Sequence, residues 1–403
     1  MNFAVGVVAE YNPYHLGHAF HIGAIKNAFP DAPIIAVMSA NFLQRGVPAL
    51  LDKWERAKAC VIGGVDLVLE LPIPFCCHNA GVFASAAVTI LKATGVVDTM
   101  SFGMENPEIE LANTISYILV QEPMTFKTDL QFFLKKGFSY GSARAMALEK
   151  LCPGAQNFLS YPNNTLAISY IEASRKQNAD FDFLPIKRVG AGYRDKSVGS
   201  LMSASGIRQA IEERKFHSAF SSMPYESAKI LQYNLKRGRC CVDTSRLWDD
   251  IQLLLTRAPE DKLKEIAGMT EGIESRFAHI HSRCESFDEL VDYVSTRRYP
   301  KSRVRRQLIS LLLNINKTDD MLFQHRGPAY IRPLAMSLRG RSLLRDIKKR
   351  ATLPLAYKPT ALKKDDYAQK VFSLGVRSSK IWESLIPHPD FRKEIEAVPF
   401  IGQ

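Results

Sequence analysis

Short apolar runs alternate with longer amphipathic segments through the first hundred residues of the chain. The apolar runs end at turn-forming residues and predict buried strands at residues 3–9, 34–38, 65–71 and 99–102. Between them, apolar residues recur at helical spacing over residues 15–29, 53–62 and 79–94. Short strands that alternate with helices of about ten residues or more predict an α/β domain built on a parallel sheet.

The second half of the chain has helical periodicity without this alternation. After Ser203 the helical pattern covers residues 206–240, 246–268, 272–296 and 303–316, and one late strand is predicted at 328–336. The basic stretch Lys348–Lys364 is expected to be a loop. Because 403 residues are too many for one ordinary core, we predict two domains. Residues 1–215 would carry the sheet and residues 216–403 would be mostly helical, joined at the charged segment Glu212–Lys215.

The loops that follow the predicted strands are the expected place for a ligand. In parallel sheets, ligands bind beyond the carboxyl ends of the strands, where successive loops meet. We therefore expect four loops to share one crevice, at residues 12–18, 39–46, 71–78 and 103–106.

The composition is that of a soluble globular protein and favours the cytoplasm. Hydrophobic residues make up 46% and charged residues 23% of the chain. No apolar stretch approaches the roughly 20 residues that span a bilayer, and the apolar start lacks the basic leader of a signal peptide. The seven cysteines include no Cys-x-x-Cys pair, which argues against a disulfide framework or a structural zinc site and favours a reducing compartment.

Positive charge is concentrated late in the chain. The formal net charge is +12, and residues 296–350 contain 15 Lys or Arg against three Asp. Such an excess favours a polyanion, and either a nucleic acid or an anionic membrane would satisfy it. Its densest part, here called the basic patch, surrounds Tyr299 and comprises Arg297, Arg298, Lys301, Arg303, Arg305 and Arg306. These cations can contact phosphates and Tyr299 can stack on an unpaired RNA base, although a solvated helix face explains the pattern equally simply.

The first strand leads directly into His15-Leu16-Gly17-His18, which begins a helix. A helix N-terminus presents unpaired N–H groups and a partial positive charge, so it attracts phosphates. Gly17 allows close approach of the backbone, and His15 and His18 lie on one face, from which both can donate hydrogen bonds to one phosphate chain. We identify these two histidines as the candidate catalytic residues. The alternative is a chance pair of surface or metal-binding histidines.

The stretch GVVAEYNPYHLGH at 6–18 resembles the start of the HIGH-type nucleotidyltransferases. With Glu10–Pro13 ahead of the histidines, it resembles specifically the bacterial tRNA(Met) cytidine acetate ligase family. Further similar motifs follow in order: MSANFLQRGVPAL at 38–50, DLVLELP at 66–72, SFGMEN at 101–106, PNNTLAISY at 162–170, PIKRVGAGYRD at 185–195, SASGIR at 203–208, TRRYPKSRVRRQL at 296–308 and PAYIRPLAMSLRGRSLL at 328–344.

This resemblance implies a Rossmann-like nucleotidyltransferase domain followed by a helical, basic tRNA-binding domain. It also implies a reaction in two steps. Acetate attacks the α-phosphate of ATP, which yields acetyl-adenylate and pyrophosphate, and the acetyl group then passes to N4 of the wobble cytidine in elongator tRNA(Met). Mg²⁺ is expected to arrive on the ATP phosphates, and neither a dedicated metal site nor an obligate protein partner is expected.

The resemblance also implies an ATP site. It maps onto Val7, Val8, Ala9, Glu10, Tyr11, Asn12, Pro13, Tyr14, His15, Leu16, Gly17, His18, Ala19 and Phe20, and then onto Gly103, Asn164 and Arg188. Gly103 would leave bare backbone for the adenine or ribose, or else be an ordinary turn glycine. Asn164 would read the nucleotide or cap the helix that follows. Arg188 offers a guanidinium fork for phosphate, with Lys187 as a second cation or a solvated neighbour.

The sequence leaves the roles of two further segments undecided. Ser203, Ser205 and Arg208 resemble the signature that closes over the β- and γ-phosphates, but Ser205 can also be a plain helix N-cap. Gln44 and Arg45 lie on a loop over the same crevice, where acetate, phosphate and tRNA are all possible partners.

Two other functions use the same residues. A small-molecule adenylyltransferase would share the histidine chemistry but would leave the basic helical half without a purpose. A non-catalytic RNA-binding protein with a vestigial nucleotide site would not need His15, Gly17, His18 and Arg188 to be intact.

Overall fold

A computed structural model gives the structure of the chain and describes residues 3–188 and 202–402. Within these residues, seven strands form one sheet in the order β5-β4-β1-β2-β3-β6-β7. Their bounds are β1 Ala4–Ala9, β2 Ile34–Ser39, β3 Leu67–Leu71, β4 Val97–Met104, β5 Asp182–Lys187, β6 Pro333–Met336 and β7 Phe400–Ile401. Strands β1 to β5 are mutually parallel, whereas β6 runs antiparallel to β3. The predicted α/β fold with a parallel sheet is confirmed.

Helices cover both faces of the sheet and make up most of the second half. Up to residue 212 they are α1 Leu16–Ala28, α2 Lys53–Ile62, α3 Ile73–Cys76, α4 Ala80–Ala93, α5 Ile109–Gln121, α6 Met124–Lys135, α7 Tyr140–Glu149, α8 Ala155–Ser160, α9 Pro162–Lys176 and α10 Ala204–Glu212. Beyond it they are α11 Phe216–Ser221, α12 Tyr225–Lys236, α13 Ser245–Arg257, α14 Glu260–Glu265, α15 Ile273–Ile280, α16 Phe287–Val294, α17 Lys301–Leu312, α18 Lys317–Arg326, α19 Leu338–Arg350, α20 Asp366–Ser384 and α21 Lys393–Glu396. The predicted loop at Lys348–Lys364 is therefore wrong at its start, because α19 continues through Arg350.

The strand pattern explains which predictions succeeded. β1, β2 and β3 are almost wholly buried, as expected for central parallel strands with apolar residues on both faces. The sequence did not predict β5, because Pro185 interrupts a short run between polar residues. β5 lies at the edge of the sheet, where a proline does not interrupt the ladder.

The second half of the chain completes the sheet. β6 pairs with β3 through Leu67 opposite Met336 and Val68 opposite Ala335, within the late strand predicted at 328–336. β7 then pairs with β6 near the end of the chain. The proposed domain boundary near residue 215 stays a prediction, and the sheet itself extends across it.

A buried ion cluster joins this later part of the chain to β3. Lys53 Nζ lies 2.5 Å from Glu70 Oε1 and 2.7 Å from Glu394 Oε1. Arg332 Nη1 lies 3.1 Å from Glu70 Oε2 and 2.7 Å from the same Glu394 oxygen. Two cations and two carboxylates balance one another, so the cluster carries no uncompensated buried charge.

Candidate active site

His15 and His18 cap the start of α1 with their own side chains. The N–H of Gly17 donates to His15 Nδ1 at 3.0 Å, and the N–H of His15 donates to His18 Nδ1 at 3.2 Å. The arrangement is a capping box in which two imidazoles replace the usual hydroxyl and carboxylate. The two rings stack with their centroids 3.7 Å apart. The histidines are therefore held in one geometry by the backbone that they cap.

These hydrogen bonds determine the protonation of both rings. A backbone N–H can only donate, so both Nδ1 atoms are unprotonated and each neutral ring carries its proton on Nε2. Burial, assisted by the charge of Arg188, lowers the pKa of His15 to about 4. Burial also lowers the pKa of His18 well below its ordinary value, with His15 and then Arg188 adding to the effect. At neutral pH the site thus offers two uncharged Nε2–H donors.

The backbone N–H groups at the start of α1 are already occupied. Leu16 N–H donates to the carbonyl of Ser222 at 3.0 Å, and Gly17 N–H donates to His15. The prediction of unpaired N–H groups facing a phosphate is therefore wrong for these two residues. What α1 presents to an anion is the positive end of its dipole and the two imidazole donors.

Most other side chains of Val7–Phe20 form the core of this corner of the protein. Val7, Tyr11 and Tyr14 are buried, and the Tyr11 ring packs 4.6 Å from that of His18. The Tyr14 hydroxyl donates to the carbonyl of Gly63 at 3.0 Å. These side chains support the histidines from behind.

A third histidine, missed in the sequence, lies one helical turn further along α1. His21 Nε2 lies 2.9 Å from the hydroxyl of Ser101, which itself donates to the carbonyl of Leu184 at 3.0 Å. Because that hydroxyl proton is used, His21 is the donor in the pair. Burial, and then the charge of Arg188, lowers the pKa of His21 to about 4. Its spacing of three from His18 is a signal that could have revealed it.

Arg188 directly follows β5, and its side chain lies against Gly103. Its N–H donates to the carbonyl of Met104 at 2.8 Å. A Cβ on Gly103 would come within 3.0 Å of Arg188 Cγ. Gly103 is within β4 and has no left-handed φ, so the reading as a turn glycine is wrong. Its small size makes room for the Arg188 side chain, which is exposed beside the histidines, as is that of Lys187.

Asn164 is fully buried, and its side-chain amide is hydrogen-bonded within the protein. Its Oδ1 accepts from the N–H groups of Glu105 and Asn106 at 3.1 and 3.3 Å, and its Nδ2 donates to the carbonyl of Phe158 at 3.1 Å. The role as cap of α9 is wrong, because Asn164 lies within α9, whereas its contact with a nucleotide stays a prediction. Instead, the Glu105 carboxylate accepts from the N–H groups of Asn163 and Asn164 and caps α9. Asn164 shapes the loop after β4, and Glu105 was not singled out in the sequence.

Arg56 of α2 ties together the ends of β1 and β2. Its guanidinium donates to the carbonyls of Glu10 at 2.6 Å, Ser39 at 2.9 Å and Ala40 at 2.5 Å. Burial lowers the pKa of Arg56 to about 10, so the group stays charged at neutral pH. Nothing in the sequence marks Arg56, because an arginine within an amphipathic helix resembles any solvated one.

The loop that carries Gln44 and Arg45 is held from two sides. Gln44 N–H donates to Glu10 Oε1 at 2.7 Å, and Arg306 of α17 donates to the Gln44 carbonyl at 3.2 Å. A Cβ on Gly46 would come within 2.4 Å of the Arg306 backbone nitrogen. The loop after β3 contacts the loop after β2, since the Cys76 thiol lies 3.1 Å from the Phe42 carbonyl oxygen. The loops after β1, β2 and β3 thus meet as predicted.

The segment from Ser203 to Arg208 lies against the loop between β1 and α1. Ser203, rather than Ser205, is the N-cap of α10 and accepts from the N–H of Gly206 at 3.2 Å. Arg208 donates to the carbonyl of Asn12 at 2.7 Å. The alternative with Ser205 as N-cap is therefore wrong. Both serine hydroxyls are at the surface, and the motif residues 189–195 lie outside the described part of the chain.

The basic patch is less free than its sequence indicates. Arg298 and Arg303 both pair with Glu271, and Arg305 pairs with Asp288 at 2.9 Å. Arg297 lies over the ring of Phe138, 3.4 Å from its centroid. Arg306 faces the Gln44 loop and not the solvent side of α17.

Tyr299 cannot stack on an RNA base in this structure. Its side chain is only 7% exposed, and its hydroxyl donates to the carbonyl of Glu271. The predicted stacking of Tyr299 on an RNA base is therefore wrong, because the ring belongs to the core beneath the basic patch.

Among residues 3–188 and 202–402, no group of three or more His, Cys, Asp or Glu could hold a metal ion. Within the same residues, no helix is both long and apolar enough to cross a bilayer. All seven cysteines are free thiols.

Comparisons with known proteins agree over nearly the whole chain. The family model described as HIGH Nucleotidyl Transferase matches residues 1–396. The chain is 34% identical over 400 residues to a tRNA(Met) cytidine acetate ligase of Acetivibrio thermocellus, and the alignment covers 96% of each chain. It is 33% identical over 407 residues to the protein of the same name from Clostridium perfringens, which covers 98% of each.

Solved structures show the same fold. The crystal structure of Thermotoga maritima TmcAL bound with alpha-thio ATP superposes with a TM-score of 0.93 at 31% identity and covers 100% of both chains. The apo form of that protein also superposes with a TM-score of 0.93 and is 32% identical.

Proposed function

This chain belongs to the tRNA(Met) cytidine acetate ligase family, ATP-dependent ligases among the HIGH nucleotidyl transferases, and we propose that it acetylates elongator tRNA(Met). In this proposal it activates acetate with ATP and transfers the acetyl group to N4 of the wobble cytidine. The observation that carries the proposal is the pair of neutral Nε2–H donors on His15 and His18, held at the positive end of α1 beside Arg188.

The residues of this corner suit an ATP phosphate chain. Negative charge grows on the α-phosphate and on the departing pyrophosphate when an acetate oxygen attacks phosphorus in line. Because their pKa values are lowered by burial, His15 and His18 are uncharged at neutral pH, and each can stabilise the developing charge with a hydrogen bond from its Nε2–H. The exposed Arg188 guanidinium, whose charge acts on both histidines, supplies a full positive charge. Mg²⁺ bound to the ATP phosphates would add charge neutralisation at the same place.

Four other residues are proposed to extend the ATP site. Lys187 is exposed next to Arg188 and can reach the same phosphates. The surface hydroxyls of Ser203 and Ser205 lie 2.9 Å apart at the start of α10 and can donate to the β- and γ-phosphates. Arg208 contributes by holding the Asn12 backbone.

We propose that the exposed part of the basic patch binds tRNA phosphates. Arg297, Arg298 and Lys301 are exposed, and the carboxylates that pair with Arg298 and Lys301 are also at the surface. Surface ion pairs contribute only about 0–1 kcal/mol, so phosphates can replace the carboxylates at little cost. A tRNA substrate would place the reaction in the cytoplasm.

The test is a complete reaction with ATP, acetate and elongator tRNA(Met). We expect pyrophosphate and N4-acetylcytidine in equal amounts over many turnovers, with no N4-acetylcytidine when acetate or ATP is left out. Propionate and butyrate, assayed beside acetate, would report the size of the acyl pocket. Consumption of ATP that ignores both acetate and tRNA would contradict the proposal, as would adenylyl transfer to a phosphorylated metabolite.

A further inference from the structure

Transfer of an acetyl group to an amine requires a proton acceptor. Cytidine N4 carries two hydrogens, whereas the amide nitrogen of the product carries one. The reaction therefore releases a proton when the N4–carbon bond forms and the bond between the acetyl carbon and AMP breaks. This requirement rests on the proposed function and raises the question of which group takes the proton.

The two catalytic histidines are poorly arranged for this task. Each Nδ1 accepts a hydrogen bond from a backbone N–H, so each ring presents a protonated Nε2 to a ligand. A ring in this tautomer can donate a hydrogen bond from Nε2 but cannot accept a proton there. The same hydrogen bonds that make His15 and His18 good phosphate ligands thus exclude them as bases.

Other carboxylates near the strand ends are already engaged. Asp52 caps α2 and pairs with Lys393 at 2.7 Å. Glu70 is part of the buried ion cluster. Glu105 accepts from the first N–H groups of α9. Each has a structural partner that holds its negative charge in place.

Glu10 differs from these three carboxylates. It directly follows β1, and Arg56 fixes its carbonyl. One carboxylate oxygen accepts from the Gln44 N–H at 2.7 Å. Among the residues that the structure describes, none donates a hydrogen bond to the other carboxylate oxygen of Glu10. None of their arginines or lysines forms an ion pair with Glu10.

The surroundings of Glu10 favour a working base. Burial raises the pKa of Glu10 above its ordinary value, opposed by the Gln44 N–H and by the charges of Arg56, Arg45 and Arg208. A higher pKa makes the ionised carboxylate a better proton acceptor. The Gln44 loop that positions it is also held by Arg306 of α17, from the proposed tRNA-binding half.

We propose that Glu10 is the general base of acetyl transfer and takes the proton from cytidine N4. The N4 lone pair attacks the acetyl carbonyl carbon, the carboxylate oxygen of Glu10 accepts one N4 proton, and AMP leaves with the electron pair of the broken bond. Acetyl-adenylate formation moves no proton from the nucleophile and therefore needs no base.

The two half-reactions separate this role from a structural one. Glu10→Gln keeps an oxygen that accepts from Gln44 N–H but cannot accept a proton. We expect transfer from synthetic acetyl-adenylate to tRNA, measured in a single turnover, to fall about 100-fold or more. Acetate-dependent exchange of pyrophosphate into ATP also reports any contact of Glu10 with ATP, and it should fall by a much smaller factor than the transfer rate. Glu110→Gln, an exposed carboxylate on α5, is the matched control and should leave both rates unchanged.

The outcomes are distinguishable. Wild-type transfer rates in Glu10→Gln would overturn the inference, and so would equal losses in exchange and transfer, since these would place Glu10 in the adenylation step. An unchanged melting temperature would show that either result does not come from misfolding. If the wild-type protein itself shows no acetate-dependent exchange, the proposed function fails, and with it the need for this base.

Discussion

The histidine pair and the basic patch are both candidate contacts for phosphates, yet the protein builds them in opposite ways. Each ring of the pair is held by a backbone N–H at 3.0 to 3.2 Å and supported by buried tyrosines. The basic patch consists of long side chains at the surface, several of them in exposed ion pairs. Chemistry on a phosphate needs a fixed donor geometry, whereas binding of an RNA backbone needs mainly charge. The comparison therefore predicts that substitutions in the two regions have different kinds of effect.

The largest effect is expected from His18→Ala. This substitution removes one Nε2–H donor and the acceptor for His15 N–H. We expect acetate-dependent pyrophosphate exchange to fall roughly 100- to 1000-fold, the usual effect of losing one donor to a developing charge. The affinity for tRNA, measured by filter binding, should change little.

His217→Ala, at an exposed position on α11, is the control and should exchange at the wild-type rate. Loss of tRNA binding with intact exchange in His18→Ala would reverse the roles assigned to the two regions.

A pH series tests whether the pair is held neutral. The pKa of His15 is about 4 in the folded protein, below its ordinary value of 6.5, so the unfolded chain binds more protons between these values. The free energy of unfolding should therefore fall as pH drops from 7 to 5, by about 2 kcal/mol for this one group. His15→Asn keeps a side-chain acceptor for Gly17 N–H but does not titrate, so its stability should fall less over the same range. Equal pH dependence in denaturant titrations of the two proteins would contradict the buried neutral ring.

The basic patch should respond through salt dependence. Arg297→Glu together with Arg298→Glu should weaken tRNA binding about tenfold at low salt and flatten the slope of log K against log salt. Pyrophosphate exchange without tRNA should be unaffected. Lys26→Glu, in the last turn of α1, is the control at the opposite end of the sheet. An unchanged salt slope in the double variant would remove the patch from the interface.

The smallest effect is expected at Gly103. In Gly103→Ala the new Cβ would lie 3.0 Å from Arg188 Cγ, which displaces the arginine by a few tenths of an ångström. We expect the KM for ATP to rise about fivefold, since a misplaced guanidinium loses part of its contact with phosphate. Gly141→Ala, where nothing lies within 4 Å of the added Cβ, is the matched control. Equal KM values for the two variants would show that Arg188 does not depend on the room left by Gly103.

Local patterns were sufficient where the function depends on neighbours in sequence. The order of apolar runs predicted β1 to β4 and the helices between them, because strand and helix periodicities are local properties. The place of His15 and His18 at the start of α1 followed from the same pattern. Even there, the interpretation was incomplete, since the sequence could not show that each imidazole caps the backbone and is thereby locked in one tautomer.

Long-range packing decided the remaining features. Asn164 and Tyr299 have residue types that suit nucleotide or RNA contact, but tertiary contacts bury both. Arg56, on a helix that looks solvated, became the buried tie between two strand ends.

The sequence by itself determined the α/β class, the helical second half and the histidine pair, since each depends on spacing along a single element. Only the tertiary structure decided which polar side chains face the crevice. That choice depends on partners far away in the chain, such as Gln44 for Glu10, Glu105 for Asn164 and Gly103 for Arg188. Burial and hydrogen bonding between such partners determine whether a polar group serves structure or chemistry, and no local pattern encodes them.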